Sequence, residues 1–414
     1  MRAILICIYL FASVSIFAQR ECSTQQYVAG MASNADIANR MADVENFIQN
    51  SSNNIKNSVA NGTGSKFIIR IPVVIHVLHN APHLNISDEQ IKTQLDALNR
   101  DFRRINSDTE NTPARFKPLS ADVQIEFVLA TADPKGRSTT GIIRKQTTVA
   151  DWNMDDKIKF SANGGDDAWD SRYYLNIWVG KMRSLLGYSS APGGLVEKDG
   201  LVINVSAFGT QNVSAPYDMG RTVVHEAGHW MGLKHIWGDT YCGDDLVEDT
   251  PKQGGFTSGC PTTFRSSCDN GTTGDMYMNY MDFTYDACMN LFTLGQAERM
   301  QALFQPGGPK NSFLISKGLN DPWLDESPLI ETPAKDSITI YPNPAVNELV
   351  LSFGNNDTWI GKELRFISIN GSVLQKIKIT SKLQKINISR LQAGVYVLQG
   401  ENGEHKLKEK IIKL

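Results

Sequence analysis

Apolar residues crowd together between positions 67 and 78, where Ile68, Ile69, Ile71, Val73, Val74, Ile75 and Val77 leave little room for polar side chains. That run predicts a buried strand. From about 88 to 105 the spacing lengthens. Ile91, Leu95, Leu98 and Phe102 recur at intervals that put them on one face of a helix. Ser87, with Gln90 three residues later, supplies a capping box at its start. Residues 123–129, 175–179 and 201–205 read as further strands. His76 and His79 fall on or beside the first strand and read as packed structural side chains. Strand, helix, strands and a further helix predict an α+β domain across 66–306, with a mixed twisted sheet backed by two long helices.

The pattern changes on both sides of this domain. Residues 19–65 are polar and poor in aromatics, and Ser51-Ser52-Asn53-Asn54 and Asn61-Gly62-Thr63-Gly64-Ser65 predict flexible loop. This region reads as a propeptide ending in an accessible stretch, with Arg40, Lys56 and Lys66 as candidate cut sites. Before it, Arg2, an apolar run over 4–17 and Phe17-Ala18 form a secretory signal over 1–18. The run is short for a membrane span, and no later segment reaches the length one needs. After the domain, 307–336 is rich in Pro, Gly and polar residues and reads as a linker. A period of two then sets in. Ile338/Ile340, Leu349/Leu351/Phe353, Leu364/Phe366, Leu374, Ile377/Ile379, Ile386/Ile388, Val395/Val397 and Ile411/Ile412 mark seven short strands over 337–414. Asn370-Gly371 and Asn402-Gly403 are hairpin turns. A small all-β immunoglobulin-like sandwich is expected there.

Composition adds limits. The chain has 414 residues, 41% hydrophobic and 21% charged, which suits two or three globular domains. A net charge of −3 gives no support to nucleic-acid binding. Of the six cysteines, Cys7 leaves with the signal. Cys242, Cys260, Cys268 and Cys288 cluster in a loop-rich part of an exported chain, which favours disulfides and leaves three pairings open. Cys22 is left without a partner.

The chemistry concentrates in His225-Glu226-Ala227-Gly228-His229-Trp230-Met231-Gly232-Leu233-Lys234-His235. On a helix, His225 and His229 share one face, a turn apart. Gly232 can end the helix in a left-handed conformation, after which His235 turns back as a third ligand. Three imidazoles with an open fourth position describe a catalytic Zn²⁺ site. Glu226 projects beside the metal as a candidate general base. A thiolate also binds zinc well, so Cys22 could fill the fourth position as a latency device. The acidic stretch from Asp239 to Pro251 holds five carboxylates and could bind Ca²⁺.

The histidine segment resembles the metzincin signature, and His-Glu-Ala-Gly-His-Trp-Met-Gly-Leu is similar to the pappalysin family, in particular its cytophagalysin branch. The resemblance covers most of 68–305, including 71–79, 87–106 and 200–209. It implies a cleft between an upper sheet and an irregular lower half, with 187–194 as a rim loop. An extended substrate could add to a sheet edge there, although no edge strand is evident in the sequence. The resemblance also implies a methionine turn at Met278-Asn279-Tyr280-Met281-Asp282-Phe283, with Met281 as an apolar floor. It implies the pairs Cys242–Cys268 and Cys260–Cys288, a cysteine switch at Arg20-Glu21-Cys22, and calcium held by Asp249 and the Thr250 carbonyl. Two positions depart from the family. Phe283 stands where relatives place a tyrosine, and Tyr285 has the wrong offset. Met289, followed by Asn290, stands where members that cut before Arg or Lys carry an acid.

At the C-terminus, Ile340-Tyr341-Pro342-Asn343-Pro344, Gly394-Val395-Tyr396-Val397-Leu398 and Lys410-Ile411-Ile412-Lys413-Leu414 resemble a type IX secretion sorting domain. Together these features point to a secreted bacterial zinc endopeptidase, monomeric and free of transmembrane segments. Its partners are protein or peptide substrates and the secretion machinery. The alternative is an exported non-catalytic zinc-binding adhesin.

Overall fold

The computed structural model describes residues 22–60, 67–324, 338–353, 357–403 and 406–414. The signal over 1–18, Arg20 and Glu21, the turn-rich 61–65, Lys66 and the 325–336 part of the linker lie outside the described residues. The chain divides into two compact units, one reaching to Asp325 and the other starting at Glu326.

The described part of the first unit begins with two helices, α1 (Thr24–Met31) and α2 (Ala35–Ala60). This corrects the expectation of loop at Ser51-Ser52-Asn53-Asn54, which lies inside α2. Ile37, Met41, Val44, Ile48 and Ile55 recur at steps of three, four and seven, enough for one apolar stripe. Ile37 and Ile48 are buried, and Val44 and Ile55 pack against the core. The stripe is thin, so the helix depends on the surface it covers.

There follow β1 (Ile69–His79), α3 (Asp88–Phe102), β2 (Ile125–Leu129), β3 (Ile142–Gln146), β4 (Leu175–Gly180), β5 (Gly187–Ser189), β6 (Leu201–Asn204), α4 (Arg221–Trp230) and α5 (Leu294–Ala302). The expected mixed sheet is present, in the order β2-β1-β4-β6-β5, with β3 also paired to β1. All pairs are parallel except β5, which lies antiparallel on β6 at the edge. Neither β3 nor β5 is apparent in the sequence, because β3 carries a half-exposed mixed pattern and β5 is three residues long. The expected rim loop at 187–194 therefore starts as the sheet's edge strand. Helix α3 starts at the expected cap, where Ser87 Oγ accepts from Gln90 N at 3.2 Å. Only half of the box forms: Gln90 Oε1 accepts from Asn212 Nδ2 at 3.5 Å, and its Nε2 donates to Phe208 O at 2.9 Å. The helix stops at Phe102 and the backbone turns left-handed at Arg104 (φ 50°), short of the expected 105.

The linker expectation also needs correction. Residues 307–324 pack on the first unit: Phe313 is buried against Trp230, and Leu324 N donates to Gly136 O at 2.9 Å. His76 is buried, with Nδ1 2.7 Å from Asp166 and Nε2 3.1 Å from Asn176. It is structural, as expected.

Among the described residues the second unit has seven strands: β7 (Thr339–Tyr341), β8 (Glu348–Ser352), β9 (Glu363–Ser368), β10 (Val373–Lys378), β11 (Leu383–Asn387), β12 (Gly394–Glu401) and β13 (Lys406–Lys413). They form sheets β10-β9-β12-β13 and β11-β8-β7, around a core that includes Leu349, Leu351, Trp359, Phe366 and Leu398. This matches the expected sandwich. Asn370-Gly371 joins β9 to β10, and Asn402-Gly403 joins β12 to β13. In β12 the buried side chains are Tyr396 and Leu398, while Val395 is exposed. A strand apolar at successive positions does not reveal which face turns inward.

Candidate active site

Helix α4 carries the first part of the histidine motif. Its N-terminus is fixed by Asp286, whose carboxylate accepts from Met219 N at 3.0 Å and Arg221 N at 3.1 Å. Its C-terminus closes in a Schellman motif. Gly232 (φ 80°) donates to His229 O at 2.9 Å, and Leu233 N donates to Gly228 O at 3.0 Å. The reversal at Gly232 brings His235 back under the helix.

Each imidazole is oriented through Nδ1. His225 Nδ1 donates to Tyr280 O at 2.7 Å, and His229 Nδ1 donates to Leu233 O at 2.9 Å. His235 Nδ1 bonds the Asp239 carboxylate. Since oxygen acceptors fix these protons at Nδ1, the Nε2 atoms face inward as lone pairs. Nε2 of His229 lies 3.1 Å from that of His225 and 3.1 Å from that of His235. Lone pairs so placed repel one another unless a cation sits among them. A tetrahedral Zn²⁺ with bonds of about 2.0–2.1 Å has ligand edges of roughly 3.3 Å, so the donor set fits that ion. Burial, then the His235 ring, push the His229 pKa well below its ordinary value, which keeps the ring neutral. The ligand atoms of Cys22, His225, His229 and His235 all lie within 4.8 Å of one another. This is the only such set of three or more His, Cys, Asp or Glu among the described residues.

The methionine turn lies against α4. A Cβ on Gly228 would meet Met281 Sδ at 2.5 Å, so glycine is required for this approach. Met281 is fully buried, and its carbonyl accepts from Ile236 N at 3.2 Å. Phe283 packs edge-on to His235 with 4.8 Å between centroids, Trp237 stacks on the same ring at 4.4 Å, and the two aromatic rings lie 4.9 Å from each other. Tyr285 instead packs on Tyr217. Met289 is fully buried, and Asn290 accepts from Thr112 Oγ1 at 2.8 Å. Cys242–Cys268 and Cys260–Cys288 are both bonded.

Glu226 is buried beside β5, where a Cβ on Gly187 would lie 3.3 Å from its Cγ. The N-terminal segment reaches it. Cys22 bridges Gly187 in parallel, and Thr24 Oγ1 donates to Glu226 Oε2 at 2.7 Å while accepting from Ser189 N at 2.9 Å. Burial, then the Glu226 charge, raise the Cys22 thiol well above its ordinary pKa. Asp249 and Thr250 are not brought to this site. Asp249 Oδ2 accepts from Gly295 N at 3.0 Å, and Thr250 Oγ1 donates to Asp245 at 2.9 Å. Asp239, read with the acidic loop, serves His235 instead. Its position four residues after the third histidine was the available signal.

Residues 160–305 match the family described as pregnancy-associated plasma protein-A, and residues 339–414 match the secretion system C-terminal sorting domain. An extracellular metalloprotease of Arthroderma gypseum is 32% identical over 274 residues, 61% of this chain and 80% of that protein. Mature mirolysin of Tannerella forsythia, solved with a cleaved peptide, is 48% identical, covers 60% of this chain and 96% of its own, and has a TM-score of 0.59. A promirolysin mutant of the same organism is 43% identical, covers 72% of this chain and 97% of its own, and has a TM-score of 0.66. No described helix is long and apolar enough to cross a membrane. The chain thus belongs to the pappalysin (M43) family of metallopeptidases and is a secreted metalloendopeptidase with a C-terminal sorting domain.

Proposed function

We propose that His225, His229 and His235 hold a catalytic zinc, and that Glu226 is the general base of peptide-bond hydrolysis. The carrying observation is the convergence of three Nε2 atoms, with Nε2 of His229 3.1 Å from each of the other two, on the buried helix that also carries Glu226. Bound there, the ion supplies Lewis-acid polarisation of the scissile carbonyl and acidifies water. Glu226, buried beside the edge strand, takes a proton from the attacking water and passes it to the leaving amine. Edge strand β5 offers backbone groups to an extended substrate. Asp239, Tyr280 O and Leu233 O orient the three rings. Met281 forms their apolar floor through its contact with Gly228. Phe283 supplies no hydroxyl to a developing oxyanion, and Met289 supplies no carboxylate to pair with a basic substrate side chain.

Residues 1–18 act as signal, 19–65 as propeptide and 337–414 as the sorting domain, with the catalytic domain extended from 66 to 324. Cys22 serves as the latency ligand, displacing water from the metal. The greater coverage by promirolysin than by mature mirolysin, 72% against 60% of this chain, supports that reading. Asp249 and the Thr250 carbonyl take part in a structural calcium site. The support is Asp249 Oδ1, which is buried without a hydrogen-bond partner.

Casein hydrolysis by the processed enzyme, measured with and without a zinc chelator, tests the central claim. Turnover that survives complete zinc removal overturns it. Mass spectrometry of cut sites in a peptide library then tests the consequence of Met289, with Arg and Lys expected not to dominate after the scissile bond.

A further inference from the structure

Tyr27, on α1, inserts its ring into the catalytic domain away from the histidines. It is 7% exposed and packs with Trp152, Trp178, Met182 and Tyr188, its ring centroid 4.8 Å from that of Tyr188. At the bottom of the hole is a buried ion pair, Lys159 Nζ to Asp156 at 3.0 Å. The phenol matches both members. Its hydroxyl donates to Asp156 Oδ1 at 2.9 Å and accepts from Lys159 Nζ at 3.1 Å. Lys159 is fully buried and also lies 4.8 Å from the Tyr27 ring centroid and 5.1 Å from that of Tyr188, so the aromatic faces help hold its charge. Lys198 Nζ, at 3.0 Å, steadies the other oxygen of Asp156.

Both polar groups and most of the walls come from residues 152–198, Leu78 and Val202 complete the cluster from neighbouring strands, and the N-terminal segment supplies Tyr27 with Met31 packed beside it. A phenylalanine would fill the volume but leave the facing donor and acceptor without the hydroxyl, a loss that is costly where charged groups are buried. We propose that this is a tyrosine-binding socket of the catalytic domain, selective for a phenol, and that Tyr27 locks the pro-segment over the active site by filling it. The lock is separate from Cys22 and the metal, and it rests on the reading of residues 19–65 as a propeptide. It lies three residues beyond Thr24, which touches Glu226, so seating Tyr27 fixes the register of the segment across the cleft.

Amide hydrogen exchange on the intact full chain, its mass checked before and after, tests the lock without reference to activity. Tyr27→Phe should speed exchange of the α1 amides by about tenfold or more, given the worth of hydrogen bonds to charged groups. Tyr27→Ala should speed it further and create a hole of p-cresol shape. Millimolar p-cresol should then restore protection, and toluene should not. Unchanged α1 exchange in Tyr27→Phe overturns the proposal, as does protection by toluene equal to that by p-cresol. If Tyr27→Ala fails to fold, Tyr27→Phe alone decides. Chelator-insensitive casein turnover would sink the active-site reading while leaving this result intact.

Discussion

The segment from His225 to His235 and the segment from Cys22 to Ala60 meet at the same cleft, yet they are encoded in opposite ways. The first carries its own geometry. Helical spacing aligns two histidines, Gly232 reverses the chain, and the third histidine returns within six residues of the second. The second segment takes its shape from what it covers. Its stripe from Ile37 to Ile55, its ion pair from Glu45 to Arg299 and the seat of Tyr27 all have distant partners. The contrast teaches that a catalytic motif can be read as a word, whereas a docked segment can be read only with its partner surface.

The sharpest way to break this comparison is at Glu226, where the two segments touch. Glu226→Ala should lower kcat by roughly 10²–10⁴-fold, the usual share of a general acid–base, while zinc content by mass spectrometry stays the same. Loss of zinc with activity would give the carboxylate a structural role instead. Next comes Gly228, the contact between helix and methionine turn. Gly228→Val should destabilise the catalytic unit by about 1–3 kcal/mol through overpacking against Met281, read as a lower Tm. An unchanged Tm would show that the floor yields easily.

Acid should loosen the docked segment. Burial pushes the Glu45 carboxyl up, but its hydrogen bonds and ion pair with Arg299 outweigh that and hold it below 4.5. A depressed folded pKa gives docking strength that is present above pH 4.5 and lost as pH falls through the lower, docked value. The protection of α2 amides, taken relative to intrinsic exchange at each pH, should fall below pH 4.5, and Glu45→Gln should flatten this response. The smallest effect is expected at Lys56, whose ion pair with Glu248 is solvent-exposed on both sides. Lys56→Ala should leave α2 exchange unchanged, and a large change there would move weight from the buried anchors to the rim.

Much of the fold was legible. The β1 run, the α3 stripe, the β4 and β6 strands and both hairpins of the second unit are locally explicit in hydrophobic period and turn chemistry. Other features were not. β5 is too short to show a period, yet it is the edge that faces Glu226. Residues 307–324 have the composition of a linker but are held by packing of Phe313 on Trp230. In β12 the apolar residues stand on both faces, so the inward choice of Tyr396 and Leu398 awaited a partner sheet.

What the sequence determined by itself is the clustering of His225, His229 and His235, the place of Glu226 beside them and the type of most elements, because these follow from spacing along a single helix, turn or strand. Tertiary structure alone decided that Asp239 orients His235, that Met281 requires Gly228, and that a polar stretch becomes two helices anchored by Tyr27. Those outcomes depend on buried partners far away in the chain, and the energy of burying a side chain is not written in its neighbours.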